Sequence, residues 1–261
     1  MIAFLGYIGA LLIGIVLGIT GGGGSILTVP VLVYVLSMNP LIATAYSLFI
    51  VGTTSAFGTL QNFKKGLVAP KTAIQFAVPS VIGVYLTRKY IVHQLPEVIF
   101  YFGSLKLYKD TFLMLLFALV MFMAAYSMLK PQKEEASEKS KGIVMVTIQL
   151  FFVGILIGLI GAGGGFLIIP ALVKLAKLPM KKAIGTSLLI ITINSLIGFT
   201  GDIQNIVIDW TFLLSFTAVS VVGIFIGLKI QHFINEKLLK KIFGVFVLVM
   251  SIVILYEELF S

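Results

Sequence analysis

Apolar residues run along this chain in long uncharged blocks, at 2–35, 41–60, 72–87, 111–129, 143–173, 183–201, 210–228 and 242–256. A helix crosses a bilayer with about 20 largely apolar residues. The eight blocks therefore predict an all-α integral membrane protein with about 8–10 membrane segments. The first block is too long for one crossing: as a single helix its 34 residues would extend roughly 50 Å against a hydrocarbon core of roughly 30 Å. Gly21-Gly22-Gly23-Gly24 is where it should break, because glycine runs have the poorest helix propensity short of proline. Ser25 could then cap a new short helix containing Pro30. The block 143–173 should break in the same way at Gly161-Ala162-Gly163-Gly164-Gly165.

The likeness of the two breaks extends along the chain. At an offset of 140 residues, 14–62 aligns with 154–202 without a gap, with identity at 16 of 49 positions. Gly14/Gly154, Gly18/Gly158, Gly21/Gly161, Gly23/Gly163, Gly24/Gly164, Pro30/Pro170, Ser47/Ser187, Ser55/Ser195 and Gly58/Gly198 are among the matches. Internal duplication follows, with a first membrane repeat at 1–129 and a second at 142–261. Between them, 130–141 has the composition of a flexible polar linker. Each repeat reads as a helix, a glycine break, a short helix and three longer helices. The register holds to Gly83/Gly223, after which the first copy carries extra residues. Its stretch 93–110 reads either as an interfacial amphipathic helix or as an extramembrane loop.

Composition agrees with the bilayer as solvent: 59% of residues are apolar, 11% are charged, and mean hydropathy is +1.12. The net charge of +9 comes from lysines lying between apolar blocks, which makes them topology signals and not a nucleic-acid footprint. Absence of cysteine excludes disulfides and thiolate metal sites. The N-terminus lacks a basic signal region, so it is expected to be an uncleaved first helix.

Lys and Arg concentrate on the cytoplasmic side. If each glycine-broken block crosses once, the two sides hold 12 and 7 of them; if each short helix returns the chain to its starting side, the split is 15 and 4. The second arrangement is expected, with the linker inside and both termini outside the plasma membrane of a prokaryote. It gives each repeat an odd number of segments, so the copies lie inverted, a common transporter architecture.

Unwound backbone within a membrane is tolerated when it is buried in protein or lines a cavity. The helix start beyond it offers N–H groups and a positive dipole end that attract an anion. Inverted symmetry would bring the starts near Ser25 and Gly165 together at the midplane, cradling a small oxyanion without any buried Lys or Arg. Gly14, Gly18, Gly154 and Gly158 read as small-residue helix contacts. The candidate substrate-binding residues are Gly21, Gly22, Gly23, Gly24, Ser25, Ser47, Ser55, Gly161, Gly163, Gly164, Gly165, Ser187, Asn194 and Ser195. Hydroxyls in membrane helices also bond carbonyls one turn back, which is the alternative for the serines. Asp202 is a weaker candidate for carrying a coupling ion; as a lone carboxylate at a block end it reads more simply as solvated. His93 and His232 lie in loops without partners at metal-ligand spacing. No Gly-Lys-Ser/Thr follows either glycine run, and no Ser-His pair or paired intramembrane carboxylates appear, so nucleotide binding and catalysis are not expected.

The paired signature G-x-x-x-G-x-x-G-x-G-G-x-x-L-x-x-P-x-L, at 14–32 and 154–172, is similar to that of the TauE/SafE (sulfite exporter, DUF81) family. Gly185-Thr186-Ser187-Leu188, Asn194-Ser195-Leu196-Ile197-Gly198 and Ile208-Asp209-Trp210 resemble the family's second half. Where the family often has a histidine, this chain has Thr200, Gly201 and Asp202. The resemblance implies export or uptake of small anions such as sulfite, sulfoacetate, other organosulfur compounds and carboxylates. The expected function is a secondary transporter working by alternating access, with a channel built on the same broken helices as the alternative. Its partners would be the lipid bilayer, a small anion, a coupling proton or sodium, and further copies of the chain in a homo-oligomer. No cofactor, metal or nucleic acid is called for.

Overall fold

The computed structural model describes residues 2–22, 24–102, 105–129 and 143–260. The linker and Gly23 lie outside the described residues. Among the described residues, ten α-helices account for most of the chain. They are α1 (Ile2–Thr20), α2 (Gly24–Pro30), α3 (Pro40–Lys64), α4 (Pro70–Leu86), α5 (Lys109–Leu129), α6 (Ile143–Ile160), α7 (Gly165–Lys174), α8 (Met180–Asp202), α9 (Trp210–Phe233) and α10 (Glu236–Phe260). Among the described residues, α3, α5, α8 and α9 are long and apolar enough to cross a membrane. Large apolar side chains such as Phe4, Leu119, Phe152, Leu214 and Ile252 face outward, while Ser47, Thr54, Ser55, Thr186, Ser187, Asn194 and Ser195 are buried. That distribution suits hydrocarbon surroundings, where burying an apolar surface gains nothing.

Both long blocks break at their glycines. Gly21 (φ 72°) and Gly161 (φ 70°) turn left-handed, a conformation in which a Cβ would crowd the following carbonyl. Each closes its helix by donating its N–H four residues back, Gly21 to Leu17 at 2.7 Å and Gly161 to Ile157 at 2.9 Å. Ser25 does not accept the capping bond expected of it: it sits inside α2 and donates to the Gly22 carbonyl at 2.6 Å. Pro30 lacks an N–H, and α2 continues beyond it as a π-helical turn, Val31–Val35.

Among its described residues the stretch 93–110 holds no amphipathic helix. After a 3-10 turn at Val92–Gln94 it forms an antiparallel hairpin of β1 (Val98–Phe102) and β2 (Leu105–Tyr108), pairing Val98 with Tyr108 and Phe102 with Leu105. Its apolar and aromatic residues have strand preferences, and the strands pair only with each other.

Helices of one half pack on helices of the other. α1 lies along α9 and α4 along α6, in both cases parallel. A Cβ at Gly14 would strike the Ser220 carbonyl, and one at Gly154 the Ser80 carbonyl, 140 residues away in both members. Gly18 against Ile224 and Gly227, and Gly158 against Val84 and Thr87, continue the two seams. α3 and α8 cross antiparallel, with Gly52 on Leu196 and Gly58 on Leu188. The same order places Asn39 beside Asp110, and Tyr34 beside Glu258, at one end of the bundle. The opposite end gathers Lys64 and Lys65 beside the start of α8, where Ala69 N–H donates to Thr186 Oγ1 at 3.0 Å. We call these the acidic and basic ends.

The seams make a graded prediction. Substituting Ala and then Leu at Gly14 or Gly154 drives side-chain atoms into backbone, so destabilisation grows with size, by about 1–3 kcal/mol. Gly66, with φ 68° and open space around it, pays only for its left-handed backbone. Its Ala and Leu variants should match each other in detergent thermal unfolding, while those at Gly14 and Gly154 should not.

Candidate functional site

The two glycine breaks touch. A Cβ on Gly22 would strike the backbone of Gly165, and one on Gly165 would strike the Cα of Gly22. Gly165 also lies against Ile191, midway along α8, so the contact sits at the middle of the bundle. Gly161, Gly163 and Gly164 all have left-handed φ, and α7 begins directly after them. Gly163 lies against Val51 of α3 and Ser195 of α8, and Gly24 folds back on Ile13 and Leu17 of α1.

The candidate side chains divide into committed and free. Ser187 donates to the carbonyls of Gly21 at 2.7 Å and Ile184 at 2.8 Å, pinning the first break to α8. Asn194 pairs with Ser80 of α4, its amide donating to Oγ at 2.9 Å. At the equivalent register Thr54 of α3 donates to Ser220 of α9 at 3.1 Å. These are interhelical polar pairs of the kind that fix helix register in lipid. By contrast, Ser47, Ser55 and Ser195 are buried with hydroxyls that find no protein partner. Such hydroxyls carry a desolvation cost unless something accepts from or donates to them.

One expectation fails. The site was to hold no buried Lys or Arg, yet Arg88, in the π-helical turn Thr87–Ile91 that ends α4, is completely buried. Its guanidinium reaches Asp202 (Nη1 to Oδ2, 3.4 Å) and donates from the same nitrogen to Thr44 Oγ1 at 3.2 Å. A Cβ on Gly161 would collide with Nη2, so the guanidinium lies directly on the second break. Asp202, read as solvated, is fully buried at the C-terminus of α8, where the helix dipole disfavours a carboxylate and a cation must offset it. His93, read as unpartnered, brings Nε2 to 2.8 Å from Asp202 Oδ1.

The repeat carries a signal for Arg88. At the 140-residue offset it faces Leu228, inside the apolar block 210–228 and buried in the fold. Extending the register five residues beyond Gly83 would have marked an arginine at a buried apolar position. Thr44 and Asp202 likewise face Ile184 and Asn62, so among the described residues the charged neighbourhood lies at the second break. A cavity of about 220 Å³ opens nearby at the acidic end, between the hairpin and the start of α3, lined by Asn39, Leu41, Glu97, Tyr108, Lys109 and Asp110.

Helices sealed together through glycine seams, with broken helices meeting mid-bundle and large apolar side chains facing outward, mark a multi-pass membrane protein. The sequence model of the sulfite exporter TauE/SafE family matches residues 6–254, and the chain belongs to that family. It is 30% identical over 256 residues to a "Probable membrane transporter protein" of Xylella fastidiosa (strain 9a5c), covering 95% of this chain and 92% of that one. It is 26% identical over 281 residues to "Probable membrane transporter protein YunE" of Bacillus subtilis (strain 168), covering 96% of each. A shorter match, 37% over 108 residues and 39% of this chain, joins it to "Probable membrane transporter protein MJ0441" of Methanocaldococcus jannaschii, of which it covers 40%. No solved structure matches the chain significantly.

If Asn194 and Ser80 act as a pair, a double-mutant cycle with Asn194→Ala and Ser80→Ala will give a coupling energy of roughly 0.6–1.7 kcal/mol. The measurement is reversible unfolding in mixed micelles. Ser55→Ala paired with Ser195→Ala, which removes two unpartnered hydroxyls, should give none.

Proposed function

We propose that this chain is a secondary carrier of a small anion of the sulfite or organosulfonate class, working by alternating access of two oppositely oriented halves. The observation that supports it most is the mid-bundle contact of Gly22 with Gly165. Two irregular segments meeting there create one place from which a solute can be exposed to either end of the bundle. The anion would be held by the backbone of Gly21, Gly22, Gly24, Gly161, Gly163, Gly164 and Gly165, by the N-terminal end of α7, and by Ser47, Ser55 and Ser195. Ser25, Ser187 and Asn194 would hold the surrounding backbone and helices in place. Neutral hydroxyls and backbone amides can donate to an oxyanion that has lost its water.

The basic end is assigned to the cytoplasm of a prokaryotic plasma membrane, which puts both termini outside. A single cysteine at Lys65, in a chain that has none, should react with a membrane-impermeant maleimide only after cells are opened. Reaction on intact cells would reverse the assignment.

Carrier activity is tested by counterflow. Proteoliposomes loaded with unlabelled sulfite should accumulate external radiolabelled sulfite transiently above equilibrium, which a channel cannot do. Gly165→Ala, which forces the breaks apart, should lower the initial rate by about tenfold or more, equivalent to 1.4 kcal/mol on the barrier, while the protein stays monodisperse. Saturable counterflow unchanged by Gly165→Ala would remove the glycine contact from the transport path.

A further inference from the structure

We propose that Arg88 is the cation that binds the transported anion on the acidic-end side of the glycine contact. In this arrangement Asp202 occupies it as an internal substitute for the substrate's oxyanion, and His93 supplies the proton that lets Asp202 leave. This assignment rests on the reading of the chain as an anion carrier.

A guanidinium recognises oxyanions best through two parallel N–H donors, and one such edge is formed by Nε and Nη2. Here Asp202 and Thr44 both use Nη1, while Nε and Nη2 are buried without a protein acceptor. The pair is therefore a loose, single-nitrogen contact, leaving the geometry suited to a sulfonate, sulfite or carboxylate unused. That free edge lies against Gly161, four residues before Gly165 meets Gly22. Ser47, one turn along α3 from Thr44, keeps an unpartnered buried hydroxyl.

The set of positions equivalent by the repeat, around the first break, shows that the scaffold does not need these charges. At the registers of Arg88, Thr44 and Asp202 it has Leu228, Ile184 and Asn62, all buried, and Asn62 simply donates to the Gly58 carbonyl at 3.0 Å. A buried ion pair adds little to stability relative to apolar side chains that fill the same space. A charged pair at one break and a neutral set at the other fits a role in ligand binding better than a role in packing.

An anion arriving on Nε and Nη2 competes with Asp202 for one positive charge. Asp202 is fully buried, so its carboxylate cannot leave Arg88 while charged without a large desolvation cost. His93, whose side chain is 13% exposed, bridges Asp202 to the acidic-end surface. A proton from water there enters the His93–Asp202 hydrogen bond; Asp202 becomes neutral, and the anion takes its place on Arg88. One anion and one proton are bound together, and release reverses both steps. Among the described residues the charged groups around this cluster are few, with Lys64 of α3 and Lys71 of α4 at the far, basic end. Arg88 and Lys89 belong to the turn itself, with Lys89 exposed over Tyr85 and Tyr90; α6 carries no titratable side chain, and α8 contributes Asp202 with Lys181 and Lys182 at its far end. Anion binding is therefore coupled to the uptake of one proton and strengthens as pH falls.

The test measures binding of methanesulfonate and sulfate, whose charges are constant between about pH 5.5 and 8, by calorimetry on the protein in nanodiscs. The wild type should bind more tightly at the lower pH. Asp202→Asn should bind about tenfold tighter at the higher pH and lose the pH dependence, a gain that removal of a purely structural ion pair would not produce. His93→Gln should bind with a flattened pH profile. Arg88→Gln should lose at least about tenfold in affinity; because it strands Asp202, the double variant Arg88→Gln with Asp202→Asn provides a neutral, packed control that should also bind weakly. If the double variant binds like the wild type, or Asp202→Asn binds no tighter, the assignment of Arg88 is overturned while the anion reading stands. If the wild type binds neither probe nor sulfite at any pH, both are overturned.

Discussion

Backbone that leaves a helix inside a bilayer must find its hydrogen bonds and its cover within the protein, because lipid offers neither. This chain breaks two helices in that setting, and the rest of the architecture follows from how the breaks are covered. Each is closed from behind by its own helix, through Gly21 to Leu17 and Gly161 to Ile157, and from in front by the other break, at Gly22 and Gly165. Neither half could bury its own glycine run alone. The close seams of α1 on α9 and α4 on α6, glycine against backbone, carry each break across to the opposite half.

Contacts recur at a constant 140-residue offset. Thr54 with Ser220 matches Asn194 with Ser80, and Gly14 on Ser220 matches Gly154 on Ser80. Ser37 and Lys177, also 140 apart, both take left-handed backbone where the two short helices end. Against that background the departures are informative. Arg88, Thr44, Asp202 and His93 gather at one break, and the hairpin of β1 and β2 is added on the same side. Chemistry is thus placed unequally on a nearly regular frame.

Much of the frame was legible in sequence because glycine, proline and apolar block length act locally. The breaks at Gly21–Gly24 and Gly161–Gly165, the short helices after them and the packing role of Gly14, Gly18, Gly154 and Gly158 needed no tertiary information. What failed depended on partners distant in the chain. Arg88 stands one residue beyond an apolar block, as a snorkelling side chain would, and only Asp202, 114 residues on, makes its burial tolerable. Asp202 read as a lone carboxylate for the same reason. The hairpin was missed because its polar-apolar mixture fits either a strand pair or an interfacial helix, and pairing between β1 and β2 decides it. Asn194 and Ser80 looked like independent polar groups and prove to satisfy one another.

The central claim is that the two breaks form one anion site bounded by Arg88. Crystals grown with selenate, an oxyanion whose selenium scatters anomalously, locate it directly. The account predicts an anomalous peak between the Gly22–Gly165 contact and the Arg88 guanidinium. A peak confined to the lysine-rich basic end, with none in the bundle, would contradict it.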